Sequence, residues 1–253
     1  MKRAQAISRW VLLLLLGCSL WSSSAFADVI RAAVTSNFAP LLEQLAAQFE
    51  QDSGHTVAIS SGASGRLFSQ ISNGAPFDVY FSADSERPTQ LVAEQKAVAG
   101  TVFTYALGKL VLWSSTLPLA DNAEAVLKGG EFAHLSIANP KLAPYGVAAQ
   151  QVLQQLHLWD ALQGKLVLGE NVAQALQFVE SGNAELGFIA LAQWQLLPQS
   201  QRGSPWQVPA GMHAPITQDA VILHDTAATR AFMAFMQSAA ARAAIGQAGY
   251  TLP

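Results

Sequence analysis

Residues Val57 to Asp84 read VAISSGASGRLFSQISNGAPFDVYFSAD: a short β run, a turn of small hydroxyl residues, an amphipathic helix and a second apolar strand. The first strand is expected over Thr56 to Ser60, the helix over Gly65 to Ser72, and the second strand, apolar enough to be buried on both faces, over Asp78 to Ser82. A strand that ends in Ser60-Ser61-Gly62-Ala63-Ser64 and feeds directly into a helix aims free backbone N–H groups and hydroxyls outward. That geometry suits an oxyanion.

The same device stands upstream. Val29 to Val34 reads as a strand that passes through Thr35-Ser36-Asn37-Phe38 into a helix with Pro40 in its first turn, where proline sacrifices no intrahelical hydrogen bond. That helix, Ala39 to Ser53, carries Leu41, Leu42, Leu45, Ala46 and Phe49 at helical spacing, and Gly54 ends it. A further helix is expected over Pro88 to Gln95, capped by Asp84 or Ser85. The order β-α-β-α-β-α predicts a parallel sheet.

A second alternating set follows, with strands at Lys109 to Trp113, His134 to Ala138, Lys165 to Leu168 and Leu186 to Ile189. Its helices are expected at Ala120 to Lys128, Gly146 to Leu156 and Asn171 to Ser181. Pro198 to Pro215 reads as an irregular connection into a strand at Thr217 to His224, and helices at Thr226 to Ser238 and Ala240 to Gln247 close the chain. Two such sets and a helical tail that can return to the first suggest an α/β protein of two lobes with a ligand cleft between them.

The 253 residues are 51% hydrophobic, which suffices for a packed core. The opening MKRAQAISR is basic, Trp10 to Leu16 is an apolar run too short to span a bilayer, and Ala25-Phe26-Ala27 fits a small-residue cleavage site. Residues 1–27 are therefore expected to be a secretory signal peptide, cleaved after Ala27. Leu15-Leu16-Gly17-Cys18 also resembles a lipobox, the alternative being a lipid anchor on Cys18. Cys18 is the only cysteine, so nothing after Ala27 can form a disulfide, a thiol nucleophile or a cysteine metal site. Loss of Lys2, Arg3 and Arg9 with the leader takes the net charge from −3 to −6, a poor match for nucleic acid. A protein of that charge must hold an anion with local dipoles.

GAPFDVYFSAD, with NP-x-x-x-P-Y-G at Asn139 to Gly146, GENVAQAL at Gly169 to Leu176 and AELGFI at Ala184 to Ile189, resembles the periplasmic molybdate-binding proteins of ABC uptake systems. The likeness runs over essentially all of Asp28 to Pro253. It implies the type II periplasmic binding protein fold, each lobe a mostly parallel sheet flanked by helices. The chain would cross twice, near Tyr105 to Gly108 and near Ile216 to Ala220. The first lobe is expected to comprise 28–106 and 217–253, and the second 107–216. The implied partners are a membrane permease with a cytoplasmic ATPase, and the protein is expected to act as a periplasmic monomer without a cofactor.

By the same resemblance, Ser36 and Asn37 match the first ligand-binding turn and Ser64 the second. Tyr145, before a predicted helix, matches the third through its amide or its phenol, and Val172, after the N-cap Asn171, offers a free amide. Each has a plainer alternative: helix capping for Ser36, Asn37 and Ser64, a surface loop for Tyr145, core packing for Val172. Ala190 stands where one branch of the family carries a ligand-touching tyrosine. None of the five residues is a carboxylate that could accept a proton from hydrogen phosphate, which favours a fully deprotonated dianion such as molybdate, tungstate or sulfate. The resemblance chooses molybdate, held as an oxyanion with no side chain on the metal.

Three other readings can be weighed. Gly62-Ala63-Ser64-Gly65-Arg66 nearly matches the G-x-S-x-G of serine hydrolases, but Arg66 replaces the second glycine and no histidine follows in a triad context. His55, His134, His157, His213 and His224 show no metal-ligand spacing. A receptor of the same fold for sulfate, thiosulfate or an organic acid remains, and Arg66, expected on a solvated helix face, could line the cleft mouth.

Overall fold

The computed structural model describes residues 28–253; the expected leader, its cleavage after Ala27 and Cys18 lie outside the described residues. Strands β1 (Val29–Thr35), β2 (Thr56–Gly62), β3 (Val79–Phe81), β4 (Phe103–Gly108) and β10 (Ile216–Ile222) form one sheet in the order β2-β1-β3-β10-β4. Strands β5 (Leu110–Trp113), β6 (Leu135–Ala138), β7 (Leu166–Gly169), β8 (Leu186–Ala190) and β9 (Trp206–Gln207) form the other, in the order β7-β6-β8-β5-β9.

The two sheets share a plan. β1 pairs in parallel with β2 and β3, and β6 in parallel with β7 and β8. The fourth strand of each sheet, β10 or β5, runs antiparallel to both neighbours. Each reversed strand is the one that enters from the other sheet. β5 begins after a single residue, Lys109, beyond β4. The mostly parallel expectation therefore holds for strand direction, with one reversed strand in each sheet that alternation alone did not reveal. β4 is a full strand where the sequence suggested only a crossing.

Helices α1 (Ala39–Ser53), α2 (Ser64–Ser72), α3 (Glu86–Ala93), α9 (Ala227–Met236) and α10 (Ala239–Gln247) accompany the first sheet. Helices α4 (Ala123–Gly129), α5 (Pro144–Gln155), α6 (Trp159–Leu162), α7 (Val172–Glu180) and α8 (Leu191–Leu196) accompany the second. Among the described residues, no helix is long and apolar enough to cross a membrane.

Strand periodicity distributes the cores. Ala32 and Val34 of β1 face a cluster with Leu42, Phe49 and Phe232, whereas Ala33 faces a separate one with Leu67, Ile71, Tyr80 and Leu91. In β5, Leu110 and Leu112 pack with Val152 and Leu153 of α5, while Val111 and Trp113 pack with Val179 and Leu191. Each sheet is thus covered on both faces. Gly146 allows α5 to sit against β6, since a Cβ there would lie 2.2 Å from the Ala138 carbonyl oxygen.

Candidate functional site

Four helices begin in the region where the two sheets approach each other: α1, α2, α5 and α7. None has an acidic residue in its first turn, a trait shared with α8, α9 and α10, whereas α3, α4 and α6 carry Glu86, Glu124 and Asp160 in theirs. Acids at a helix start stabilise the dipole, so their absence at these four starts leaves the positive ends uncompensated. A partly buried helix start favours an anion by about 0.3–2 kcal/mol.

Hydrogen bonds tie the four starts together. Ser64 Oγ, buried at the head of α2, donates to Thr35 Oγ1 at 3.3 Å and accepts from Ala83 N–H at 3.1 Å. Ser36 N–H donates to the Gly62 carbonyl at 3.0 Å, and Ser36 Oγ lies 3.4 Å from the Ala173 nitrogen of α7. Gly65 N–H donates to the Leu142 carbonyl at 2.9 Å, just ahead of α5. At the rim Arg66, exposed on its helix face as expected, also forms an ion pair with Glu170 of the other unit. That pairing raises the Arg66 pKa, first through the hydrogen bond and then through the charge of Glu170.

The capping alternative does not account for the first two turns. The N-caps of α1 and α2 are Phe38 and Ala63, and neither helix has a side-chain cap, so Ser36, Asn37 and Ser64 are not used as caps. At α7 the expected cap is present: Asn171 Oδ1 accepts from Ala173 N–H at 3.0 Å and Gln174 N–H at 3.1 Å. Val172 follows it as the first helical residue, with no intrahelical acceptor for its amide. Tyr145 is buried at the head of α5, not on a surface loop.

Asn37 is set in place from below and from the side. The ring of Phe38 packs against Tyr105, Tyr250 and Phe81, with centroids 4.5, 5.7 and 6.0 Å away, and anchors the turn. Asn37 Nδ2 donates to Gln218 Oε1 at 2.9 Å and to the Tyr250 hydroxyl at 3.1 Å, and Tyr250 donates to the Asn37 carbonyl at 2.9 Å. Gln218 Nε2 donates to the Tyr145 hydroxyl at 3.3 Å. Burial pushes the Tyr145 phenol well above its ordinary range, so it stays neutral and keeps its proton. All five residues singled out in the sequence therefore meet in one region.

Thr35, already within the first turn, belongs to it as well, and so do Gln218 and Tyr250, to which the sequence did not point. Gln218 and Tyr250 lie 181 and 213 residues from their partner Asn37, and neither occupies a helix start. Ala190, where a tyrosine was expected in another branch, ends β8 and is fully buried ahead of α8. The hydrolase alternative fails on geometry, because Ser64 Oγ bonds only Thr35 and Ala83 and no histidine stands beside it. Among the described residues, no group of three or more His, Cys, Asp or Glu could hold a metal ion.

Comparisons agree with this architecture. The family described as bacterial extracellular solute-binding protein matches residues 30–251. The protein named molybdate-binding protein ModA of Azotobacter vinelandii is 48% identical over 244 residues, covering 95% of this chain and 97% of the relative. The protein of that name from Rhodobacter capsulatus is 43% identical over 229 residues, 89% of each. The solved structure of the Azotobacter vinelandii periplasmic molybdate-binding protein superposes with a TM-score of 0.83 at 45% identity, covering 88% of this chain and 99% of that one. With a family match over nearly its whole described length and ModA proteins among its relatives, the chain belongs to the bacterial extracellular solute-binding proteins.

Proposed function

We propose that this protein is a non-enzymatic receptor that captures molybdate between its two units and delivers it to an ABC transporter. The observation that carries the reading is the meeting of four helix starts free of acidic residues, lined by neutral donors. A dianion removed from water needs donors on every oxygen, and each charge-assisted hydrogen bond contributes about 1.5–3 kcal/mol. Neutral amides and hydroxyls meet that need without a fixed cation. The ModA relatives support molybdate over sulfate as the ligand.

On this reading the ligand donors are the amide or hydroxyl of Ser36 and Ser64, the main-chain amide of Asn37, the amide or phenol of Tyr145, and the amide of Val172. The lobes are 28–106 with 217–253, and 107–216. Residues 1–27 direct the chain to the periplasm and are removed after Ala27, and the mature protein works as a monomer without a cofactor. A transmembrane permease and its cytoplasmic ATPase take over the ion.

Thermal unfolding with molybdate, tungstate, sulfate, phosphate and thiosulfate tests the reading. Ligand at a thousandfold over its dissociation constant stabilises by about 4 kcal/mol. For a chain of this size each kcal/mol moves Tm by about 2–4 °C, so a rise on the order of 10 °C is expected with molybdate. No rise with molybdate or tungstate, or a larger one with sulfate, would sink the assignment.

A further inference from the structure

The hydrogen bonds around Gln218 have a fixed direction. Tyr250 has one proton, and it goes to the Asn37 carbonyl, so the Tyr250 oxygen can only accept from Asn37 Nδ2. The second Nδ2 hydrogen goes to Gln218 Oε1, and the Tyr105 hydroxyl, 3.1 Å from that oxygen, shares its one proton with the Ser82 carbonyl at 2.9 Å. Turning the Gln218 amide over would set its donor end against the Asn37 donor. Gln218 Nε2 therefore faces Tyr145, and the Tyr145 oxygen accepts. Among the described residues the Tyr145 hydroxyl donates to nothing.

Two features of the backbone are fitted to this bond. The register of β10 against β4 shifts between Gln218 and Asp219, where Tyr105 of β4 is the extra residue without a partner on β10 and its hydroxyl reaches the Gln218 side chain. Gly108, which pairs with Ile216 two residues before Gln218, is where a Cβ would fall 2.3 Å from the Tyr145 hydroxyl oxygen and 2.8 Å from Gln218 Nε2. A side chain there would occupy the space the bond uses.

We propose that Gln218 is a positioning residue for ligand capture: by donating to the Tyr145 oxygen it leaves the single phenolic proton of Tyr145 for an oxyanion, and it does so from the strand that joins the two units. The inference rests on the molybdate reading given above. It also gives Asn37 a second task, since the Asn37 amide passes the bond direction from Tyr250 to Gln218. Tyr145 is tied in this way to the first unit even though its helix belongs to the second.

The test is calorimetric titration of molybdate into the wild-type protein, Gln218→Met, Tyr145→Phe and the double variant, with ligand-free Tm recorded for each. Each single variant should bind about tenfold to a hundredfold more weakly, and the double variant no more weakly than the worse single one, because the two changes remove one interaction. The ultraviolet difference signal of tyrosine on molybdate addition should disappear in Tyr145→Phe and shrink in Gln218→Met, which a purely structural defect would not produce. Gly108→Ala disturbs the same bond from the opposite side and serves if Gln218→Met folds poorly; it should weaken binding in the same range. Losses that add in the double variant, or unchanged affinity in Gln218→Met and Gly108→Ala, overturn the inference while the molybdate assignment stands. A wild-type protein that binds no oxyanion overturns both.

Discussion

Gly65 donates its backbone N–H to the carbonyl of Leu142 at 2.9 Å, a main-chain bond that passes from the first unit to the second. It lies beside the Arg66–Glu170 ion pair and one residue after Ser64. The turn that presents the candidate ligand donors is therefore also a seam between the units. Closure and donor placement depend on the same few residues.

A methyl group on Gly65 would meet the Leu142 carbonyl oxygen at 3.0 Å and an Arg87 guanidinium nitrogen at 3.1 Å. The Leu142 contact is backbone, so the seam must open slightly. Gly65→Ala should weaken molybdate binding by about tenfold, equivalent to about 1.4 kcal/mol, with little change in ligand-free Tm. Scattering measurements should show a larger radius of gyration in the ligand-saturated variant than in the ligand-saturated wild type. Equal radii would remove the seam from the account of closure.

Arg66 and Glu170 are both partly exposed, with side chains 58% and 36% accessible. Solvent and salt screen such a pair. Arg66→Met or Glu170→Gln should speed ligand release by no more than about fivefold, given the small worth of exposed pairs. Stopped-flow release at low and high salt checks this: the difference from wild type should shrink as salt rises.

Ser64→Ala removes more than a ligand donor. Ala83 N–H relies on Ser64 Oγ, and leaving a buried donor unpaired costs about 1–3 kcal/mol. The variant should lose stability on that scale in urea titration as well as affinity. Retained stability would mean that the Ala83 amide finds another acceptor.

Glu185 offers a test in pH. Its carboxylate accepts from the His134 amide at 2.8 Å and the Ala133 amide at 3.1 Å, and the His134 bond chiefly holds its pKa below the usual 4.5, against the opposing effect of burial. A depressed folded pKa contributes stability above about pH 4.5 that is lost as pH falls through the folded value. Glu185→Gln should therefore be less stable than wild type at pH 7, and the two should converge as pH falls through the depressed folded value. A gap that persists in acid would place the effect in packing.

What could be read in advance follows from the range of the forces involved. β1, α1, β2, α2 and α7 announce themselves through apolar spacing and end signals within one segment, as with Gly54, which ends α1 in a left-handed turn. α8, Leu191–Leu196, is six residues long, too short for its period to emerge from the apolar sequence around it. The two-residue β9 was hidden in a connection rich in proline and glycine. The turns with Ser36, Asn37 and Ser64 were visible because a helix start is a local event. Gln218 and Tyr250 were not, because a buried amide or phenol acquires its role only from partners brought close by the fold.

The reversed strand β10 lies between β3 and β4, so the first sheet has a gap until residues 216–222 arrive. The second sheet, built from 110–207 in one uninterrupted stretch, has no such gap. Pairings between distant parts of a chain form slowly, because a long loop must close before they are rewarded. The later half of the molecule can therefore mature first, while the earlier half, with Asn37 at its centre, waits for the return of the chain.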